Sequence, residues 1–363
     1  RGPALRGRER GVPLNRRRFL RMLGLLGLAL GAGEIPAWAD TAPKSGRQNP
    51  LGGLRIIDAH AHPDRLHLTK HEPDESSSVS AMTDMGMAAS VFSAVGDRVH
   101  LSGGRLPGPE RFQTMRQLDF WKDGIVKSGK VKLVLKSADI PPAPKPGDAP
   151  GCILAIEGGD PLSGNPDRVN EFYDYGVRLI TLIHYRNNEL GDCMKSWTGL
   201  NPGPRNGGLT ADGRRVMERM QNLGMVVDVA HADSQTLRQI AEITQRPVLD
   251  SHGSPCALAD TNRCGRFRTW TDMETIAKTG GVVCTWTWGM TQGRTKRETF
   301  RDWAAEIREM KRRIGMEHVG LGTDGGGGIP RFVSGYRDIR DLSHLVSAML
   351  DEGFSLAEIA AYM

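Results

Sequence analysis

Six short apolar runs in this chain end in a residue able to bind a metal or move a proton. They cover residues 54–60, 152–157, 177–184, 225–231, 247–252 and 319–324, and end in His60, Glu157, His184, His231, His252 and Asp324. Three similar runs, 89–95, 131–136 and 281–286, lack such an ending. Between the runs lie amphipathic stretches at 212–223, 234–243, 272–278 and 298–314. Alternation of this kind builds repeated β-α units on a parallel sheet. A closed barrel needs eight strands, so one early run is expected to be an insertion or an edge. The expected fold is one (β/α)8 TIM barrel, in which reactive residues at strand ends meet at a single mouth.

In Asp58-Ala59-His60-Ala61-His62 the period of two puts Asp58, His60 and His62 on one face of a strand. Two imidazoles so placed can grip one divalent ion, and His231 and His252 can hold a second. Glu157 ends an apolar strand, where an unpaired carboxylate is costly. A carboxylate there can bridge two cations and offset part of their repulsion. Asp324 adds a carboxylate suited to managing protons. Imidazole and carboxylate without thiolate favour zinc or a similar borderline metal, and a pair of such ions activates water and polarises a carbonyl.

Other motifs carry less. Gly320-x-Gly322-x-x-Gly325 matches the dinucleotide fingerprint by letter, but Asp324 sits inside it and more glycine follows instead of a helix. His71-Glu72 is followed by Pro73, which breaks any zinc-binding helix. Cys256 and Cys264 are spaced to allow a disulfide. The net charge of +6 equals the eight arginines less the two acids of residues 1–39, so the rest of the chain is neutral and offers no surface for nucleic acid.

That basic segment has its own logic. Asn15-Arg16-Arg17-Arg18-Phe19-Leu20-Arg21 precedes a short apolar stretch, 22–33, and the small-x-small site Ala37-Trp38-Ala39. Residues 1–39 therefore resemble a twin-arginine export signal, which engages the twin-arginine translocation machinery and delivers folded proteins. The expected location is periplasmic or extracellular, or membrane-associated if the signal is not cleaved. Residues 40–53 are expected to be a linker, and 54–363 the barrel domain.

The ordered set Asp58-Ala59-His60, Glu157-Gly158-Gly159, 178–184, Asn206-Gly207-Gly208-Leu209-Thr210, Asp228-Val229-Ala230-His231, Ser251-His252-Gly253-Ser254, Thr261-Asn262-Arg263 and Gly322-Thr323-Asp324 resembles the membrane dipeptidase (renal dipeptidase) family of zinc peptidases. The resemblance implies two zinc ions and hydrolysis of dipeptides with a free amine and a free carboxylate. It implies His60 and His62 on the first ion, Glu157 bridging, and His231 and His252 on the second. Asp324 would shuttle the proton of a bridging water, His184 would steady the oxyanion, and Arg263 would pair with the substrate carboxylate. A homodimer is allowed.

Two departures stand out. The family pattern has His-x-Asp where this chain has His60-x-His62, which leaves the site about one charge more positive and lowers the pKa of a bound water. The chain also stops at Met363, short of the family's usual end, so a missing terminal segment is expected. Alternatives are a binuclear amidohydrolase acting on a β-lactam or N-acyl amino acid, and a non-catalytic binding barrel.

Overall fold

The computed structural model describes residues 51–64, 77–97, 110–142, 144–194, 204–256, 265–292 and 295–363. The signal, the linker up to residue 50, His71-Glu72, Arg263 and Cys264 lie outside these.

Eight parallel strands form the barrel in the order β1 (Ile57–Ala61), β2 (Ala89–Val95), β4 (Gly151–Glu157), β5 (Leu179–Thr181), β6 (Val226–Asp228), β7 (Leu249–Gly253), β8 (Val282–Thr285) and β11 (Val319–Leu321). The circle closes just past β11, where Ala61 and Gly325 bridge in parallel, the Asp324 N–H donates to the His60 carbonyl at 2.8 Å, and the His62 N–H to the Gly325 carbonyl at 2.7 Å. The surplus run is β3 (Lys132–Leu133), which pairs with the first residues of β4 and stays off the barrel path, an edge as anticipated. A hairpin, β9 (Met290–Gln292) and β10 (Thr295–Arg297), sits beyond β8.

The helices follow the apolar stripes, and their starts are fixed by caps. Thr210, Asp233, Thr269 and Thr299 each accept a first-turn N–H, opening Ala211–Asn222, Ser234–Ile243, Trp270–Lys278 and Phe300–Ile314. Thr299 and Asp302 cap reciprocally, so the last of these four helices begins two residues later than residue 298. Among the described residues, no helix is long and apolar enough to cross a membrane.

Strand alternation sorts the core into two shells. Cys152, Leu154, Ile156, Ile180, Val227 and Val283 pack outward beneath the helices. Ile153, Ala155, Leu179, Val226, Leu249 and Cys284 pack inside the barrel. Continuing the inward parity toward the strand ends brings Glu157, Thr181, Asp228 and Ser251 into the interior, all buried. The barrel is thus apolar at its base and polar at its mouth. The glycines of the dinucleotide-like motif serve close packing and closure of the barrel: a Cβ at Gly322 would stand 1.7 Å from the Ser251 carbonyl oxygen of β7, and Gly325 bridges to Ala61.

Candidate metal centre

Glu157, the last residue of β4, points inward, and its carboxylate is the hub of the mouth. Its Oε1 lies 3.4 Å from His60 Nε2, 3.4 Å from His184 Nε2, 3.2 Å from His231 Nε2 and 3.4 Å from His252 Nε2. Its Oε2 lies 3.5 Å from His62 Nε2. Asp324 Oδ1 stands 3.8 Å from His60 Nε2 and 3.6 Å from His62 Nε2. Among the described residues, three groups bring ligand atoms close enough to share an ion: His60, His62 and Glu157; Glu157, His231 and His252; and His60, His252 and Asp324.

The side chains beneath set the tautomers. The Asp228 carboxylate accepts from the Thr181 hydroxyl at 2.6 Å, the Ser251 hydroxyl at 2.7 Å, and the Ala230 and Ser251 backbone N–H groups, each at 3.0 Å. Having given its hydrogen to Asp228, the Ser251 oxygen can only accept from His252 Nδ1 at 2.9 Å and His60 Nδ1 at 3.3 Å. The His252 ring is therefore protonated at Nδ1 and turns its Nε2 lone pair toward Glu157, the arrangement that outer partners impose on metal-binding histidines, whereas His60 Nδ1 also meets the Ser93 hydroxyl at 3.2 Å.

The centre is incomplete without a cation. His60 Nε2 is buried and finds no hydrogen-bond partner, although buried polar atoms are normally paired. His231 Nε2 and His252 Nε2 face each other at 3.1 Å. Burial first, then Arg266 for His231 and His60 for His252, hold both imidazoles well below their ordinary pKa and so neutral. Burial alone would push Glu157 up, but His184 and His60 outweigh it and keep it ionised, well below the usual carboxylate range. Ligand atoms about 2.1 Å from a shared tetrahedral ion lie about 3.4 Å apart. The spacings around Glu157 match, and imidazoles around a carboxylate, two of them held neutral, are a fitting donor set for zinc-like ions.

Three of the reactive residues stand farther out than expected. β5, β6 and β11 end at Thr181, Asp228 and Leu321, so His184, His231 and Asp324 sit three residues past their strands. The Asp228 carboxylate captures the Ala230 N–H, ending the strand pairing, and His231 (φ 64°) and Asp324 (φ 53°) turn into left-handed backbone. Such conformations cost about 1–2 kcal/mol outside glycine and gather where a site aims its side chains. Asp64 does not take the place of the missing family aspartate; its carboxylate instead caps the Val79–Met85 helix through the Val79 N–H at 3.1 Å. Cys256 is buried and disulfide-bonded, while its anticipated partner lies outside the described residues.

Two residues not singled out in the sequence complete the mouth. Asp97, two residues past β2, accepts from His184 Nδ1 at 3.0 Å and from the Tyr185 N–H at 3.1 Å. An acid just past a strand end carries the same signal as Asp324, yet the run at 89–95 was read as lacking one. Arg266 is 7% exposed; its Nη2 donates to the His252 carbonyl at 2.7 Å, and its Nε and Nη1 have no hydrogen-bond partner among the described residues. Arg263, Arg266 and Arg268 lie within six residues, and sequence spacing does not separate them. The fold does for two of them, since Arg268 is locked to Asp250 at 2.7 Å in the interior.

Burial alone would lower the His184 pKa, but the carboxylates of Asp97 and Glu157 overcome it and push it up to about 9. The folded state therefore holds a proton that the unfolded chain releases above pH 6.5, so this stability is full below pH 6.5 and lost as pH rises toward 9. His231 and His252, held neutral, act in the opposite sense and destabilise the fold as pH falls below about 6.5. Metal-free protein is expected to be most stable near pH 7 in urea titrations. Asp97→Asn should flatten the alkaline limb, worth up to about 1.4 kcal/mol per pH unit. An unchanged limb in that variant would remove the Asp97–His184 pair as its source.

The comparisons with known proteins agree with this geometry. Dipeptidase verJ of Clonostachys rogersoniana is 30% identical over 203 residues, 56% of this chain and 50% of that protein. Dipeptidase 3 of Homo sapiens is 28% identical over 221 residues, 57% of this chain and 42% of that protein. The chain thus spans about half the length of the relatives it matches. Among solved structures, the probable dipeptidase PvdM from Pseudomonas aeruginosa superposes with a TM-score of 0.70 at 17% identity, covering 85% of this chain and 92% of that one. A metallo peptidase from Rhodobacter sphaeroides, liganded with a phosphinate mimic of the dipeptide L-Ala-D-Ala, gives 0.69 at 18% identity, covering 85% and 96%. At these identities the likeness is one of fold. The profile of the family described as membrane dipeptidase (peptidase family M19) matches residues 57–363, from the first barrel strand to the last residue and through every side chain of the centre just described, and the chain belongs to that family.

Proposed function

We propose that this protein is an exported zinc-dependent dipeptidase that hydrolyses unblocked dipeptides. The observation that carries the reading is the buried His60 Nε2, without a hydrogen-bond partner among the described residues, within a ring of imidazoles around one carboxylate. His60, His62 and Glu157 would hold one ion, and Glu157, His231 and His252 the other. Divalent ions so held lower the pKa of water and polarise a carbonyl oxygen.

The protein's own groups supply the rest. Asp324 is within reach of both His60 and His62 and partly open to the mouth, so its carboxylate can take a proton from the attacking water and return it to the leaving amine. His184, held by Asp97, presents a protonated Nε2 to the oxyanion that develops at the scissile carbonyl. Arg266 keeps its Nε and Nη1 unengaged among the described residues, a buried guanidinium whose charge suits the free carboxylate of a dipeptide. Arg263, the other cation proposed for that carboxylate, lies outside the described residues.

Metal analysis and a dipeptide panel test this reading. Purified protein should carry about two zinc ions and cleave free dipeptides while sparing N-acetylated and C-amidated ones. Arg266→Met should raise KM with little change in kcat, lowering kcat/KM roughly a hundredfold, as removal of a charged partner does. A KM within twofold of the parent would take the carboxylate away from Arg266. Export through the twin-arginine route is tested by Arg16→Lys/Arg17→Lys, which should leave the protein in the cytoplasm.

A further inference from the structure

Beyond Arg266 the mouth carries a compact apolar wall that the hydrolytic chemistry does not use. Trp286 follows β8, and its ring stands 5.6 Å from the His252 ring and 5.2 Å from the Arg266 guanidinium carbon. Trp288 meets Trp286 edge-on at 4.9 Å and stacks on Phe267 at 6.1 Å. Trp286 and Phe267 are buried, whereas Trp288, Met290 and Ile329 pack on them and remain partly open. The segment is fixed in place: Trp288 bridges to Phe332, the Gly289 N–H donates to the Arg331 carbonyl at 2.7 Å, and a Cβ on Gly289 would meet the Phe332 oxygen at 2.2 Å.

Arg266 lies between this wall and the histidines. Its Nη2 is committed to the His252 carbonyl, while Nε and Nη1 are buried and unpaired. A carboxylate that engages one of them lies near the Trp286 ring, which stands 5.2 Å from the guanidinium carbon, with the open members of the wall alongside. We propose that Trp288, Met290 and Ile329 form the subsite for the side chain of the substrate's carboxyl-terminal residue and select bulky apolar groups there. This inference rests on the dipeptide reading above. Apolar surface left partly open beside a buried, unpaired cation fits a ligand with a carboxylate and an adjoining hydrophobic group.

The test compares Gly-Phe, Phe-Gly and Gly-Gly on the metal-loaded protein, by kcat/KM and by calorimetric binding. The parent is expected to favour Gly-Phe over both others by about tenfold or more, the range that apolar pockets achieve. Trp288→Ala and, independently, Ile329→Ala should erase most of that preference while leaving Gly-Gly within about twofold, and Trp288→Phe should restore it. Equal preference for Gly-Phe and Gly-Gly in the parent, a preference for Phe-Gly, or equal losses on all three peptides in both alanine variants would overturn the proposal. If none of the peptides is hydrolysed, the dipeptidase reading fails, and the calorimetric ratio of Gly-Phe to Gly-Gly still decides the wall on its own.

Discussion

Glu157→Gln is expected to reduce the bound metal from about two ions to at most one and to lower kcat/KM for dipeptides by roughly a thousandfold, about 4 kcal/mol of lost transition-state stabilisation. The substitution keeps size and shape but removes the one negative charge that stands within 3.5 Å of His60, His62, His184, His231 and His252. Without it, two cations held mainly by neutral imidazoles repel each other at close range, with nothing between them to offset the repulsion. The amide also presents an N–H donor to the cluster, which cannot bind a cation. Metal content by elemental analysis, beside steady-state kinetics, reads both effects. Two ions retained with a rate within tenfold of the parent would remove Glu157 from the hub.

The second large effect separates proton transfer from metal binding. Asp324→Asn should retain the metal and fold while kcat falls by roughly 100–10,000-fold, the usual contribution of a positioned acid-base group. Asparagine suits the test because Asp324 occupies left-handed backbone, φ 53°, which asparagine adopts more readily than most residues. Loss of metal would recast Asp324 as a ligand in the group it makes with His60 and His252. Undiminished turnover would take it out of the mechanism altogether.

How far the sequence could be read depends on the kind of residue. Glu157 was legible because strand parity and an apolar run fix a side chain's direction with no reference to distant chain; 153, 155 and 157 all face inward. The His60-x-His62 pair was legible as a spacing of two but not in its direction, since Ile57 and Ala59 hold the inward parity and the β1–β2 register shifts between Asp58 and Ala61. His184, His231 and Asp324 were found as residues but misplaced as strand ends, because the turns that carry them are made by side chains such as Asp228 acting on the backbone. Asp97 and Arg266 were missed since their roles rest on partners 87 and 14 residues away, His184 and the His252 carbonyl.

The sequence by itself determined the barrel and the identity of the side chains that gather at its mouth, because period-two alternation and apolar runs are local properties that survive without tertiary context. Tertiary structure alone decided which nitrogen His252 turns inward, that Arg268 pairs with Asp250 while Arg266 meets only a backbone carbonyl and the Trp286 ring among the described residues, and that Asp64 caps a helix instead of joining the centre. Those outcomes follow from hydrogen bonds and ion pairs between residues that only the fold brings together. Such contacts are fixed only when the circle closes and each buried polar atom must find, or lack, a partner.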